Sequence, residues 1–312
     1  YTITALLNLE AFGSEPVREC ARGILDQIHW HYAVGSLGLR RCAPFRRQLR
    51  RTGVTSLQAD SMHHFARVWL SRLPGTAIAP DEELIGSHNA LWASLMPYQL
   101  PDQTAEWLQK KPAEYLVCIG HGVMASPEIY SGGPGYLLSA GGVHRGPLSL
   151  MVSRPITLLL DDGQKDMEGV LHLAGPGKKM EQWNNTGVYK NFACAAGEVH
   201  IPAGWAARAK NEVWSVYKRG PIRIAVHSRK EAGIAALFHK GSEEEVLKQV
   251  TGANPDIQRL GTVFRWPKGD RIGYDLHAPK NLWVIQATGR EKVDREFDKW
   301  PLLAGWMKEK PQ

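Results

Sequence analysis

The sequence predicts an α+β protein, in which a helical N-terminal domain (residues 1–146) precedes a mostly antiparallel β-rich domain (residues 147–312). Amphipathic stretches with apolar residues at helical spacing fill the first part. Short runs rich in β-branched and aromatic residues, separated by turn residues roughly every 8–12 positions, fill the second. A chain of 312 residues is also long enough for about two domains.

Four helices are predicted in the N-terminal domain. The first has Ser14 at its N-cap and Pro16 in its first turn, both of which favour a helix start. The last carries Pro112, which predicts a kink or an interruption because proline lacks a backbone N–H. The four helices are expected over residues 14–33, 55–72, 81–96 and 102–118.

The β-rich domain is predicted to begin near residue 147, where helical spacing of apolar residues gives way to short runs rich in β-branched and aromatic residues. Eleven short runs between Leu148 and Thr288 predict strands of a sandwich or of a large antiparallel sheet. One helix interrupts them over residues 242–252. Ser242 and Glu245 there have the spacing of a capping box, in which each side chain bonds the other residue's backbone N–H.

The chain is basic, with a net charge of +7 and a sequence pI of about 9.2. The segment Arg40–Arg51 holds six arginines and no acid, which favours phosphate, nucleic acid or acidic polysaccharide as a partner. The alternative is an exposed connection whose arginines pair with acids elsewhere. Nucleic acid is the less favoured partner, because aromatic residues are not interleaved with the arginines as a single-strand groove requires. No apolar run approaches the roughly 18 residues that predict a membrane-spanning helix.

The four cysteines, Cys20, Cys42, Cys118 and Cys194, are far apart and form no CxxC pattern, so a cysteine zinc site is not expected. Two disulfides and four buried thiols are both compatible with this spacing. The chain opens at Tyr1 without a Met or a leader pattern, which we interpret as the interior of a longer protein or a processed form.

The stretch His121–Arg145 is rich in glycine and in ionisable side chains. Glycine allows sharp turns and the close approach of a ligand, although Gly-Pro and Gly-Gly pairs more often mark ordinary turns. Four residues of this stretch are candidates for acid–base chemistry or for binding an anion: Tyr130, Tyr136, His144 and Arg145. A tyrosine can act as a base only if nearby positive charge lowers its pKa.

Two further groups complete the candidate site. His88 and Asn89, with Trp92 following, lie early in a predicted helix, where an amide can bind a carboxylate and an imidazole can transfer a proton. The alternative is an ordinary helix surface with an incidental histidine. Trp183 begins the segment WNNTGVY, in which tryptophan beside amide side chains suits a sugar ring, although most tryptophans belong to the core.

A metal site built from His29, His31 and His63 is a weaker possibility. On a strand, His29 and His31 would face the same side, but a helix is predicted here. Residues two apart on a helix are rotated by about 200°, so they do not chelate one ion. Neither a metal nor another cofactor is therefore expected.

The helical part followed by an antiparallel β part, with His-Asn, Tyr and Arg in the first part, resembles toroid-plus-sandwich polysaccharide lyases of the alginate, heparin and chondroitin type. This resemblance implies a partial α/α toroid-like domain and a β-sandwich-like domain. In these families Asn, Gln or Arg neutralises a uronate carboxylate, and Tyr or His removes the C5 proton before the glycosidic oxygen departs. The pattern would fall on His88-Asn89, in the reverse of the usual order, and on Tyr130 or Tyr136.

We therefore expect an enzyme that cleaves an acidic, uronate-containing polysaccharide by β-elimination and that is secreted or periplasmic. His88, Tyr130, Tyr136 and His144 are its candidate catalytic residues. Asn89, Arg145, Trp92 and Trp183 are its candidate substrate-binding residues. The alternatives are a non-catalytic carbohydrate- or anion-binding protein and a histidine-based metal-dependent hydrolase.

Overall fold

The computed structural model describes residues 2–41, 45–47, 56–58, 61–76, 82–119, 128–141, 151–153, 156–174, 185–277, 284–289, 291–292 and 306–307. Helices and several antiparallel sheets confirm a mixed α+β protein. The chain forms two compact units, residues 1–41 with 56–111 and residues 42–55 with 112–312. The boundary between the two units, at residue 111, lies well before the predicted domain boundary at residue 146. No helix in the described ranges has the length and apolar character needed to cross a bilayer.

The first unit is mainly helical. Its elements are α1 (Thr2–Phe12), α2 (Glu15–Val34), β1 (Ser36–Leu37), β2 (Arg40–Arg41), α3 (Ser61–Ser71), α4 (Glu82–Ile85), α5 (His88–Leu95) and α6 (Asp102–Gln109). The predicted helix over 14–33 is confirmed as α2, with Ser14 at the N-cap position. The helix predicted over 81–96 is divided in two, because Ser87 starts a new helix by accepting a hydrogen bond from the backbone N–H of Ala90 at 3.4 Å.

The helix predicted over 102–118 is wrong beyond Gln109. Helix α6 ends there, and Tyr115–Ile119 (β4) is a strand in which every residue is buried. Pro112 separates the two elements, since its ring cannot continue a helix. The run YLVCI is apolar at successive positions, as expected of a strand covered on both faces rather than of an amphipathic helix.

The second unit consists mainly of strands. These are β3 (Phe45–Arg47), β4, β5 (Glu128–Gly133), β6 (Tyr136–Gly141), β7 (Met151–Ser153), β8 (Ile156–Leu160), β9 (Leu171–Ala174), β10 (Thr186–Tyr189), β11 (Phe192–Ala195), β12 (Glu198–His200), β13 (Ala207–Lys210), β14 (Ser215–Arg219), β15 (Ile222–Arg229), β16 (Ala232–Phe238), β17 (Val263–Arg265), β18 (Arg271–Tyr274), β19 (Ile285–Thr288), β20 (Glu291–Lys292) and β21 (Trp306–Met307). Helix α7 (Glu243–Ala253) starts with the predicted capping box of Ser242 and Glu245, which is confirmed.

Three sheets account for most of these strands, and all their described pairings are antiparallel. The six-stranded sheet has the order β10-β11-β16-β15-β14-β13, the seven-stranded sheet β12-β9-β8-β6-β5-β4-β21, and the four-stranded sheet β17-β18-β19-β20. Their apolar side chains share one core, which includes Leu138, Ile234 and Phe264. The toroid-like and sandwich-like details of the expected fold stay predictions.

The glycines of the His121–Arg145 stretch that the structure describes belong to the hairpin of β5 and β6. A Cβ on Gly132 would overlap the ring of Tyr115, and one on Gly133 would overlap the ring of Tyr136. Gly135 has φ +75° in the turn, a conformation that favours glycine. At these positions glycine is needed for the packing of tyrosine rings and for the turn.

Candidate functional site

The predicted residues of the first unit lie at the start of α5. His88 is exposed, whereas Asn89 and Trp92 are half-buried. The preceding residue, Ser87, has its hydroxyl oxygen 2.7 Å from Nδ1 of His64, so the helix start is tied to α3. An exposed histidine beside a half-buried amide is compatible with a pair that binds a ligand and transfers a proton, and equally with an ordinary helix surface.

Tyr130 and Tyr136 do not share a site. Tyr130 is paired with Ser139 across the β5–β6 ladder, and Tyr136 lies three residues from Ser139, so the two tyrosines project from opposite faces of the sheet. Tyr130 is fully buried and donates a hydrogen bond to Oε2 of Glu128 at 2.6 Å. Burial, assisted by the carboxylate of Glu114, raises the pKa of Tyr136, which disfavours the ionised form that a base requires. His144, Arg145 and Trp183 lie outside the described residues.

The histidines considered for a metal site take structural positions. His29 is buried in α2, where Nδ1 lies 2.5 Å from the carbonyl oxygen of Leu25. His63 is buried in α3, with Nδ1 3.2 Å from the carbonyl oxygen of Leu39. Over the described ranges, no group of three or more His, Cys, Asp or Glu side chains is placed to hold a metal ion. Cys20 is exposed, Cys118 and Cys194 are buried, and Cys42 lies outside the described residues.

A pocket of about 780 Å³ lies in the second unit, where turns of the six-stranded sheet meet turns of the four-stranded sheet. Among the described residues that line it, four are cationic and one carries a carboxylate. The cations are Lys190, Lys240, Lys268 and Arg271, and the carboxylate is Asp270. All five side chains are exposed, so they can reach a bound molecule. Such an excess of cations gives the pocket a positive potential, which attracts anions.

Aromatic side chains form part of the pocket wall. Tyr189, Phe238 and Trp266 all line it. The ring of Trp266 is half-buried and lies edge-on to Phe238, with ring centroids 5.3 Å apart, and to Phe264 at 5.0 Å. These edge contacts fix the orientation of the indole, which therefore offers an ordered apolar surface to a ligand.

Lys190 has an unusual backbone conformation. It lies in the two-residue turn between β10 and β11 with φ +50°, in the left-handed region that favours glycine or asparagine. Its carbonyl oxygen accepts a hydrogen bond from the Ser131 hydroxyl at 2.9 Å. The next residue, Asn191, makes two hydrogen bonds with Leu237. Its side-chain amide donates to the Leu237 carbonyl at 2.7 Å, and its backbone carbonyl accepts from the Leu237 N–H at 2.9 Å. These bonds hold the turn in a conformation that lysine otherwise avoids.

The segment WPKGDR (residues 266–271) forms another part of the pocket wall. The N–H of Trp266 donates to the carbonyl of Asp270 at 2.7 Å, and the N–H of Gly269 donates to the carbonyl of Trp266 at 2.9 Å. Gly269 has φ +98°, which closes the turn between β17 and β18. The turn therefore presents Lys268 and Arg271 from a hydrogen-bonded support rather than from a long loop.

His239 follows β16 on the pocket wall and is exposed. Its ring contacts that of Tyr136, with centroids 5.9 Å apart. Partial desolvation lowers the pKa of His239 below its ordinary value, although the carboxylate of Glu114 acts in the opposite direction. The imidazole is thus mainly neutral at pH 7. Tyr136, a residue predicted to be catalytic, lies behind His239 as a packing partner.

This pocket was not predicted from the sequence. Its charged residues come from turns near positions 190, 240 and 268, and each basic residue alone resembles an ordinary solvent-facing turn residue. The one local signal is WPKGDR, where a tryptophan precedes and an arginine follows a Pro-Lys-Gly-Asp turn. Comparison with known proteins adds nothing, since no family model, no curated protein and no solved structure matches the chain.

Proposed function

We propose that the second unit binds an acidic carbohydrate in the cationic, aromatic-lined pocket. The observation that carries this proposal is the presence of four cationic side chains and the indole of Trp266 around one space of about 780 Å³. Pockets of roughly 300–1,000 Å³ are usual for small ligands. A volume in this range accommodates a short oligosaccharide.

The chemistry of the wall matches the parts of such a ligand. Lysine and arginine bind carboxylate or sulfate groups through charge-assisted hydrogen bonds, and the face of Trp266 suits the apolar face of a sugar ring. Asp270 and Gln249 also line the pocket and can bond sugar hydroxyls. A neutral sugar would add no negative charge to a pocket whose described cations outnumber its carboxylates, so we expect an acidic one.

The test is calorimetric titration with an oligouronate, using the intrinsic fluorescence of tryptophan as a second signal. Lys268→Gln should weaken binding about tenfold or more, because a hydrogen bond to a charged group contributes ~1.5–3 kcal/mol. Lys230→Gln is the matched control, since Lys230 is also exposed in a hairpin turn but lies at the opposite end of β16 from His239. Equal losses in the two variants, or no binding by the unchanged protein, would contradict the proposal.

Cleavage of an acidic polysaccharide by β-elimination is a second candidate function. What favours it is His239, an imidazole on the pocket wall that is mainly neutral at pH 7 and can accept a proton. The neighbouring cations would neutralise the uronate carboxylate, and a secreted or periplasmic enzyme would meet such a polymer. An oligouronate that binds without developing the ultraviolet absorbance of an unsaturated uronate would leave binding as the function.

A further inference from the structure

The surroundings of His239 make its protonation sensitive to what the pocket contains. The groups around it come from several elements, and Gln249 of α7 is uncharged. The charged or titratable ones are Lys240 beside it, Lys190 in the β10–β11 turn, Lys268, Asp270 and Arg271 in the β17–β18 turn, Glu114 before β4, and Tyr136 in β6. Cations therefore outnumber carboxylates along the described pocket wall, whereas the carboxylate of Glu114 acts on the imidazole itself.

A bound anion changes this balance. It brings negative charge into a pocket whose described cations outnumber its carboxylates, and it counters the positive charge of the lysines and the arginine. Opposite charge within about 4–6 Å favours the protonated form of a histidine. The imidazolium in turn adds one more cation and one more N–H donor for the ligand.

We propose that His239 takes up a proton when an acidic ligand enters the pocket, so that ligand affinity rises as the pH falls. This inference rests on the proposed function, namely that the pocket binds an acidic ligand. Proton and ligand then strengthen each other's binding by the same factor, because coupling between two sites is reciprocal. Below the range in which His239 titrates, affinity should be higher by about tenfold for each unit by which the ligand raises the pKa of His239.

This coupling would make the pocket selective for acidic ligands in a pH-dependent way. A neutral oligosaccharide gains nothing from an imidazolium on the wall, whereas an oligouronate gains a further ion pair. The ratio of their affinities should therefore widen between pH 8.0 and pH 5.5. Uronate carboxylates stay ionised throughout this range, so the change reports on the protein.

The experiment is calorimetric titration of the full chain with trigalacturonate at pH 6.0 in two buffers of different ionisation enthalpy. The difference in observed heat gives the number of protons taken up. We expect net uptake by the unchanged protein and by the control variant His277→Gln. His277 is an exposed histidine that follows Tyr274, and Tyr274 is at the end of β18 remote from the pocket. We expect no uptake by His239→Gln, because a glutamine side chain carries no group that titrates in this range.

Binding without proton uptake by the unchanged protein would overturn the inference while leaving the proposed function intact. Uptake of equal size in His239→Gln would overturn it as well, since another group would then be responsible. No binding of trigalacturonate in either buffer would instead refute the proposed function. A second measurement needs no variant: the NMR titration of the His239 ring proton should show a higher pKa with trigalacturonate present than without it.

Discussion

His29 should make the first unit sensitive to acid. Its Nδ1 must carry a proton, because it lies 2.5 Å from the carbonyl oxygen of Leu25, which can only accept. Nε2 has no hydrogen-bond partner among the residues that the structure describes. The ring is enclosed by Trp69, 4.6 Å away between ring centroids, and by Tyr98 at 5.3 Å. A second proton on Nε2 would place a charge in this buried setting, where no acceptor among the described residues faces it.

The pH dependence follows from this burial. Desolvation lowers the pKa of His29 from 6.5 to about 4, although its hydrogen bond to Leu25 acts in the opposite direction. Between pH 6.5 and 4 the unfolded chain therefore binds a proton that the folded chain does not, so stability falls as the pH falls through this window. Each unit of pKa corresponds to ~1.4 kcal/mol, which gives a loss of about 3 kcal/mol at pH 4 relative to neutral pH.

The variant His29→Gln should abolish most of this slope even if its stability at pH 7 is lower. The assay is urea unfolding between pH 4 and 7.5, with a probe in the first unit. His88→Gln provides the control, because His88 is exposed in the same unit and its loss should leave the slope unchanged. A slope that persists in His29→Gln, or one that His88→Gln removes, would refute the assignment.

Three other predictions concern the second unit. Gly132→Ala should lower the melting temperature through a loss of ~1–3 kcal/mol, because its methyl group would overlap the ring of Tyr115. Gly204→Ala, with open space at that position, should change it little. Ser242→Ala should lose ~0.5–2 kcal/mol in urea unfolding, since it removes the cap of α7. Lys190→Gly should stabilise the fold by up to about 1 kcal/mol by relieving its left-handed backbone, yet weaken oligouronate binding in the same calorimetric assay.

The sequence carried enough information for elements whose signals are local. Helix α7 was predictable because Ser242 and Glu245 form a capping box within one turn. Helix α2 was predictable because a proline follows its N-cap and apolar residues recur at helical spacing. Strand β4 was not, since YLVCI lacks the alternation of a half-buried strand, and a short buried run has the same appearance in a helix and in a sheet.

The candidate site was less predictable, because its residues meet only through sheet pairing. The glycine-rich stretch suggested a place for ligand approach, but the nearest neighbours of Gly132 and Gly133 are tyrosine rings. Glycines that admit an aromatic ring and glycines that admit a ligand are alike in sequence. Tyr130 and Tyr136 were both candidate catalytic residues, and only the β5–β6 register places them on opposite faces.

The pocket differs in one physical respect from a mere gap between the ends of two sheets. Any polar turn could border such a gap. Glycine or asparagine would be the least strained residue at the position of Lys190. Lysine there adds backbone strain, and its charge joins those of Lys240, Lys268 and Arg271 around one space. Both features lower the stability of the fold, and the hydrogen bonds between Asn191 and Leu237 hold the strained turn in place. Local violations of this kind are expected where a ligand supplies the missing counter-charge.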